Sequence, residues 1–180
     1  MGLFYPGILG ALIYEAGPHL YSWPWTWNPN RFLIFVMMVH YALDFAYTAD
    51  ETSKNEYSWC KFPFDFVLVW LLYAALRTAD AAVLEPSSVI QVCWWMLATK
   101  VCAFLWESFG SVHPDGFAKT LALCSDAVPL ILYLLLILLY TSGALVPEGV
   151  VKLLIALVIL DAVLYWVHEP LYQALRKRER

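Results

Sequence analysis

The sequence predicts an all-α bundle of membrane-spanning helices, and three observations carry that expectation. Apolar residues make up 62% of the 180 residues and charged residues only 14%, where a soluble domain carries roughly a quarter. The mean hydropathy is +0.64, which is more apolar surface than one water-soluble core of this length would hide. Apolar stretches of the length that crosses a bilayer as a helix, about 20 residues, recur along the chain. Its Trp, Tyr and Phe content, 17% of the residues, adds rings of the kind that settle at lipid headgroup level.

Five spans emerge. The first runs from about Phe32 to Tyr47, the second from Phe62 to Leu84 and the third from Val89 to Phe109. The fourth runs from Phe117 to Tyr140 and the fifth from Val150 to Leu171. Between them, Asp50 to Lys61 is a polar loop, and Pro86-Ser87-Ser88 supplies a proline and an N-cap for the third helix. His113-Pro114-Asp115-Gly116 forms a turn, Ser142-Gly143 stops the fourth helix, and Pro147-Glu148 opens the fifth. Residues 1–30 read as an interfacial or re-entrant segment, with a sixth span as the alternative. Leu3 to Tyr14 is short and broken by Pro6, Gly7 and Gly10, and Trp23-Pro24-Trp25-Thr26-Trp27 is an interfacial aromatic anchor. No linker divides residues 1–180, so the chain is a single transmembrane domain with a basic tail at 172–180.

Lysine and arginine set the expected orientation. Arg176-Lys177-Arg178-Glu179-Arg180 is the densest basic cluster, which places the C-terminus in the cytoplasm. Five alternating spans then bring Lys54, Lys61 and Lys119 to the same side and leave Arg31 and Lys152 opposite, with the N-terminus outside. The start, Met1-Gly2-Leu3-Phe4-Tyr5-Pro6, has no basic region of the signal-peptide kind, and Pro6 stands where N-myristoylation takes Ser or Thr. A net charge of −4 offers no basic patch for nucleic acid.

Every span nevertheless contains an ionisable residue. Such groups are costly in hydrocarbon, so they face the bundle interior and mark a pathway or a site. Asp44 lies on the first span, one turn after His40 on the same face. Asp65, Arg77 and Asp80 lie on the second, Lys100 and Glu107 on the third, Asp126 on the fourth, and Asp161 with His168 on the fifth. At about 1.5 Å of rise per residue, Asp44, Asp65, Glu107, Asp126 and His168 fall in the cytoplasmic half, with Lys100 and Asp161 nearer the middle. Lys100 and Glu107 are seven residues apart, as are Asp161 and His168, so each pair shares a face. Pro129 removes a backbone donor one turn after Asp126 and frees the carbonyl near Ser125. Together these residues predict a polar cavity open to the cytoplasm. Arg77 and Asp80, near the outer surface, read as a local ion pair.

Plainer readings accompany each residue. Asp65 and His168 stand near helix ends, where they would be wet, and Asp65 follows Pro63 as a first-turn acid. Lys100 reads as a counter-ion for a neighbouring carboxylate before it reads as a Schiff-base amine. His40 reads as a hydrogen-bonded core histidine; a bis-His haem would need His40 and His168 at one depth, which they do not share, so no cofactor is expected. Cys93, Cys102 and Cys124 lie in apolar stretches and pack as small hydrophobes, and with Cys60 they show no metal-ligand spacing. Trp70, Trp94, Trp95, Trp106 and Trp166 could line a pocket or hold a cation, although most such rings face lipid or simply pack.

Three functions fit these residues. The first is proton- or cation-linked transport or conduction of a small solute, with His40, Asp44, Asp65, Lys100, Asp126 and His168 binding the ligand or ion. For so small a chain, this implies a homo-oligomer. The second is a membrane-embedded enzyme of isomerase or cyclase type acting on a lipophilic isoprenoid or lipid. Glu107 and Asp161 would be its acids, since desolvated carboxylic acids donate protons at neutral pH. The third is an accessory subunit of a larger membrane complex. The chain has no HExxH, GxSxG, P-loop or DDxxD-like motif and no histidine cluster for a di-iron site. Leu105-Trp106-Glu107-Ser108-Phe109 resembles short stretches of membrane terpene cyclases and sterol isomerases, a likeness of a few residues that places the chain in neither family.

Overall fold

The computed structural model describes residues 10, 11, 14, 17, 29–54, 62–81, 88–109 and 116–178. The long elements among them are five α-helices: α1 (Pro29–Lys54), α2 (Phe62–Ala81), α3 (Val89–Phe109), α4 (Gly116–Thr141) and α5 (Pro147–Arg178). Each helix packs against its neighbour in the chain, α5 returns to α1, and α3 also meets α5 across the bundle. The result is a closed ring with a shared interior.

Five helices thus stand where five spans were expected. Two of them contain segments long and apolar enough to cross a bilayer: Val89–Ser108, with a mean hydropathy of 1.5, and Lys119–Thr141, with 2.4. Over a comparable length α2 carries Asp65, Arg77 and Asp80, and α5 carries Glu148, Lys152 and Asp161. The reading of residues 1–30 as an interfacial segment lies almost wholly outside the described residues, as does the turn at His113.

Two helices overrun their expected ends. α1 continues through Asp50-Glu51-Thr52-Ser53-Lys54, part of the predicted polar loop. That segment is polar, but it holds no Gly or Pro, and Glu and Lys are good helix formers. α5 continues into the basic tail for the same reason, through Gln173, Ala174, Leu175 and Arg176. Polarity marked where the apolar span ends, and helix propensity carried the backbone further.

The interior is built from one stripe per helix. On α5, Val150, Leu154, Val158 and Asp161 are buried, and on α3, Val89, Val92, Met96 and Lys100. α1 contributes Leu33, Ile34, Met37, His40 and Tyr41, and α4 contributes Asp126, Tyr133, Leu136 and Ile137. These spacings of three, four and seven put each set on one helical face. The ring alternates up and down, so the starts of α1, α3 and α5 share an end with the finish of α4. Around that end the interior is mainly aliphatic, with Ser88 and polar atoms of Arg31 and Asp80 also buried there, and further in every stripe reaches a charged or aromatic polar residue.

The outside of the bundle is apolar as well. Phe35, Val39, Phe66, Trp70, Trp94, Val101, Leu105, Ile131, Leu138, Leu153, Val163 and Trp166 are all exposed, and they come from all five helices. Trp70 and Trp95 meet edge to face at 5.7 Å on the outer surface of α2 and α3. Hydroxyls on the helices bond back to their own backbone, Thr78 to Ala74, Thr99 to Trp95 and Ser108 to Phe104, so they need no outside partner. Near the α5 N-terminus, the exposed Glu148 accepts a hydrogen bond from Lys152 one turn on, at 2.8 Å, which holds its carboxyl below the usual range.

The α4–α5 connection shows how local sequence sets the packing. Gly143 has a φ of +77°, the left-handed conformation that closes a helix. Its N–H donates to Tyr140 O and that of Ala144 to Leu139 O, both at 3.0 Å, the paired bonds of a Schellman cap. A Cβ at this position would meet nothing within 4 Å, so its cost is purely conformational. Gly143→Ala is therefore expected to lower unfolding free energy by about 1–2 kcal/mol with the helical content retained, measured by circular dichroism during denaturation in mixed micelles. An unchanged stability would show that the cap does not hold this turn.

Candidate functional site

Where the stripes turn polar, four helices converge on one carboxylate. Lys100 Nζ, from α3, stands 2.6 Å from Asp161 Oδ1, on α5. The same ammonium is 3.5 Å from Asp126 Oδ1, on α4. His40 Nε2, on α1, lies 3.5 Å from Asp161 Oδ2. All four residues are buried, and Asp161 is only 1% exposed. Each lies roughly 16–22 Å from the mainly aliphatic end of its helix at 1.5 Å per residue, so all four stand at a similar height in the bundle.

A fifth group was not anticipated. Tyr133, fully buried on α4, has a hydroxyl with no hydrogen-bond partner among the described residues and lies within electrostatic reach of Asp161. Its signal was present in the sequence, because it follows Asp126 by seven residues and so shares its face. His40 Nδ1 is likewise without a partner among the described residues.

Within this set two carboxylates face one ammonium at a few ångströms, and Lys100 and Asp126 have further interactions as well. In a poorly polarisable interior charges so close interact strongly, and these groups therefore act as a unit.

The remaining candidates fall elsewhere. Asp65 and Glu107 are buried, with interactions of their own, nearer the opposite end of the bundle from the aliphatic half. Asp65 sits level with Cys102, whose thiol lies 3.7 Å from Phe64 O. Glu107 is about 10 Å along α3 from Lys100, and Lys119 donates to Ser108 O at 3.1 Å, closing the end of α3. Asp44 and His168 lie on α1 and α5, but their side chains are outside the described residues. Arg77 is exposed and Asp80 half-buried on α2. Pro129 is buried inside α4, where the Ser125 hydroxyl bonds Ala122 O at 2.7 Å. Cys93 and Cys102 are buried free thiols, and Cys124 is exposed. Trp70, Trp94 and Trp166 point outward, and Trp95 and Trp106 are half-buried. Among the described residues no group of three or more His, Cys, Asp or Glu side chains is placed to hold a metal ion.

Two apolar grooves mark the outer surface. One, of about 570 Å³ between α2 and α3, is lined by Phe64, Val67, Leu71, Trp94, Val101 and Leu105 among others. The other, of about 240 Å³ between α1 and α5, includes Phe35, Val39, Ile159 and Trp166. Neither contains a member of the ion cluster.

The coupling within the cluster makes a quantitative expectation. Lys100→Met leaves Asp126 and Asp161 buried without their cation and should cost about 3–5 kcal/mol. Combining it with Asp126→Asn and Asp161→Asn should recover most of that loss, in reversible unfolding by sodium dodecyl sulfate titration. Additive losses in the triple variant would mean that the three residues are not one unit.

No protein-family model matches the chain, and neither a curated protein nor a solved structure is significantly similar to it.

Proposed function

We propose that this chain is a five-span integral membrane protein whose central cluster of Lys100, Asp126, Asp161 and His40 serves proton- or cation-linked transport of a small solute. The observation that carries this reading is the inverted distribution of polarity. All five helices turn large apolar side chains outward, while the buried interior holds His40, Asp65, Lys100, Glu107, Asp126 and Asp161. A water-soluble bundle has the reverse arrangement, whereas helices in lipid face their charges inward. Of the charged residues that interrupt the apolarity of α2 and α5, Asp65 and Asp161 are among these inward-facing ones, while Arg77, Glu148 and Lys152 are exposed nearer the helix ends.

The division of the interior into two halves supports one-sided access. Leu33, Ile34, Val89, Val92, Val150 and Leu154 close one half with aliphatic side chains. The other half carries the buried Asp65 and Glu107, and its rim holds Lys54 and Lys119 at the ends of α1 and α4. By the positive-inside rule that rim is cytoplasmic, with the C-terminal Arg176-Lys177-Arg178 on the same side. A cytoplasmic C-terminus and an external N-terminus follow from five spans. The small size of the ring supports assembly of several copies.

The enzyme reading has weaker support. Its two proposed acids, Glu107 and Asp161, lie in different layers, and Asp161 is engaged by an ammonium at 2.6 Å, which suits a counter-ion better than a proton donor. The buried Lys100, Asp126 and Asp161 already pair with one another within the chain, which gives less support to an accessory subunit that needs a partner to pair them.

Transport makes a direct prediction. In proteoliposomes bearing a pH gradient, the wild-type protein is expected to carry proton-coupled flux, reported by an entrapped pH dye. Asp161→Asn and Asp126→Asn should each reduce that flux at least tenfold while the protein stays monodisperse in detergent. Equal flux in wild type and both variants would sink the reading.

A further inference from the structure

The outer surface carries a site of its own. We propose that the groove between α2 and α3, with the Lys119 ammonium at its rim, holds one acyl chain and the phosphate of an anionic phospholipid from the cytoplasmic leaflet. This rests on the membrane placement proposed above and is independent of what the centre of the bundle carries.

Phe64, Val67 and Leu71 form one wall of this groove of about 570 Å³, and Trp94, Val101 and Leu105 form the other. No charged side chain lines it. At 1.5 Å per residue, Leu105 stands about 6 Å from the end of α3, and Trp94 about 16 Å further along. The groove therefore starts near the cytoplasmic rim and runs for about the 15 Å that half a hydrocarbon layer measures. Its length is that of one leaflet.

At the rim the chemistry changes. Lys119, in the first turns of α4, donates to Ser108 O at 3.1 Å, which holds its ammonium against the end of α3. Ser108 follows Leu105 by three residues and Val101 by seven, so it continues their face of α3 beyond the groove. An ammonium has three N–H donors; Ser108 O takes one, and a phosphate oxygen suits another. Asp65 and Glu107, the carboxylates of α2 and α3 nearest this level, are buried and line no part of the groove. A cation at headgroup height above an apolar channel of leaflet length complements a lipid with a negative headgroup. A choline headgroup would bring a second positive charge to Lys119. The same rim faces the cytoplasm in the proposed orientation, and anionic lipids concentrate in that leaflet.

Trp94 at the inner end of the groove supplies a local reporter. Wild-type protein and Trp94→Phe, whose difference isolates that ring, are reconstituted in phosphatidylcholine vesicles. Increasing fractions of phosphatidylglycerol or phosphatidylcholine with brominated acyl chains are then added as quenchers. Brominated phosphatidylglycerol should quench Trp94 at about fivefold lower mole fraction, the preference expected of one lysine near a charged headgroup. Lys119→Gln should abolish that preference, and so should Val67→Phe, which fills the groove. Val39→Phe, in the separate groove between α1 and α5, should leave it intact. Should Lys119→Gln not reconstitute, 0.5 M salt screens the same contact in the wild type and should remove the preference there. Equal quenching by the two lipids overturns the proposal, as does a preference that survives Val67→Phe, or one that survives both Lys119→Gln and salt. A chain that alkaline carbonate strips from membranes overturns the membrane reading and the site with it. Equal quenching in a chain that resists carbonate removes the lipid site alone.

Discussion

An ammonium shared by two carboxylates at the centre of a helix ring constrains everything around it. For the membrane bundle proposed above, the hydrophobic effect cannot draw helices together, because acyl chains are as apolar as leucine, and packing and polar contacts have to set the arrangement. Lys100 ties α3 to α4 and to α5, and His40 ties α1 to the same carboxylate. Those three contacts fix the rotation of four helices about their own axes. The apolar stripes then follow, since a face that presents Asp161 inward also presents Val150, Leu154 and Val158 inward. Leucine-rich surfaces alone would leave many rotations nearly equivalent.

The same constraint divides the interior into two halves with different energetics. Around Val89, Val92, Val150 and Leu154 the contacts are dispersion between aliphatic side chains, individually small and insensitive to rotamer exchange. Around Lys100 each contact is strong and none is independent, because removing one partner leaves a buried charge exposed to a poorly polarisable medium. A bundle built in this way has a mainly aliphatic end and a strongly coupled layer in the middle, so substitutions in the middle are expected to be the less additive of the two.

Much of this was legible in the sequence, and the limits are instructive. The span boundaries at Val89 and Phe109 coincide with the helix, because Ser88 and the apolar run left little freedom. The Ser142-Gly143 stop and the Pro147 start are where the chain turns, since glycine in a left-handed cap and proline in a first turn act locally. Depth was also readable, because rise per residue converts chain distance into height; Lys100 and Asp161 were expected near the middle and there they meet. What height does not give is azimuth. Asp44, Asp65, Glu107 and Asp126 were expected in one half with Asp161 nearer the middle, yet Lys100 meets Asp126 and Asp161 together, while Asp65 and Glu107 lie closer to the rim. Tyr133 was missed because a tyrosine in an apolar run looks like packing until a carboxylate seven residues earlier is projected on the same face.

The stoichiometry of the cluster separates a strut from a working site. Fixing the register of α3 against α5 needs one ammonium and one carboxylate, a neutral pair that lipid tolerates without further help. Asp126 adds a second carboxylate beside the same ammonium, and His40 adds an imidazole beside Asp161. Both tie their helices to the centre, yet an apolar residue at either position would carry less desolvation cost. A brace of α3 against α5 would need neither group, and that departure from the simplest pairing is what the transport proposal rests on.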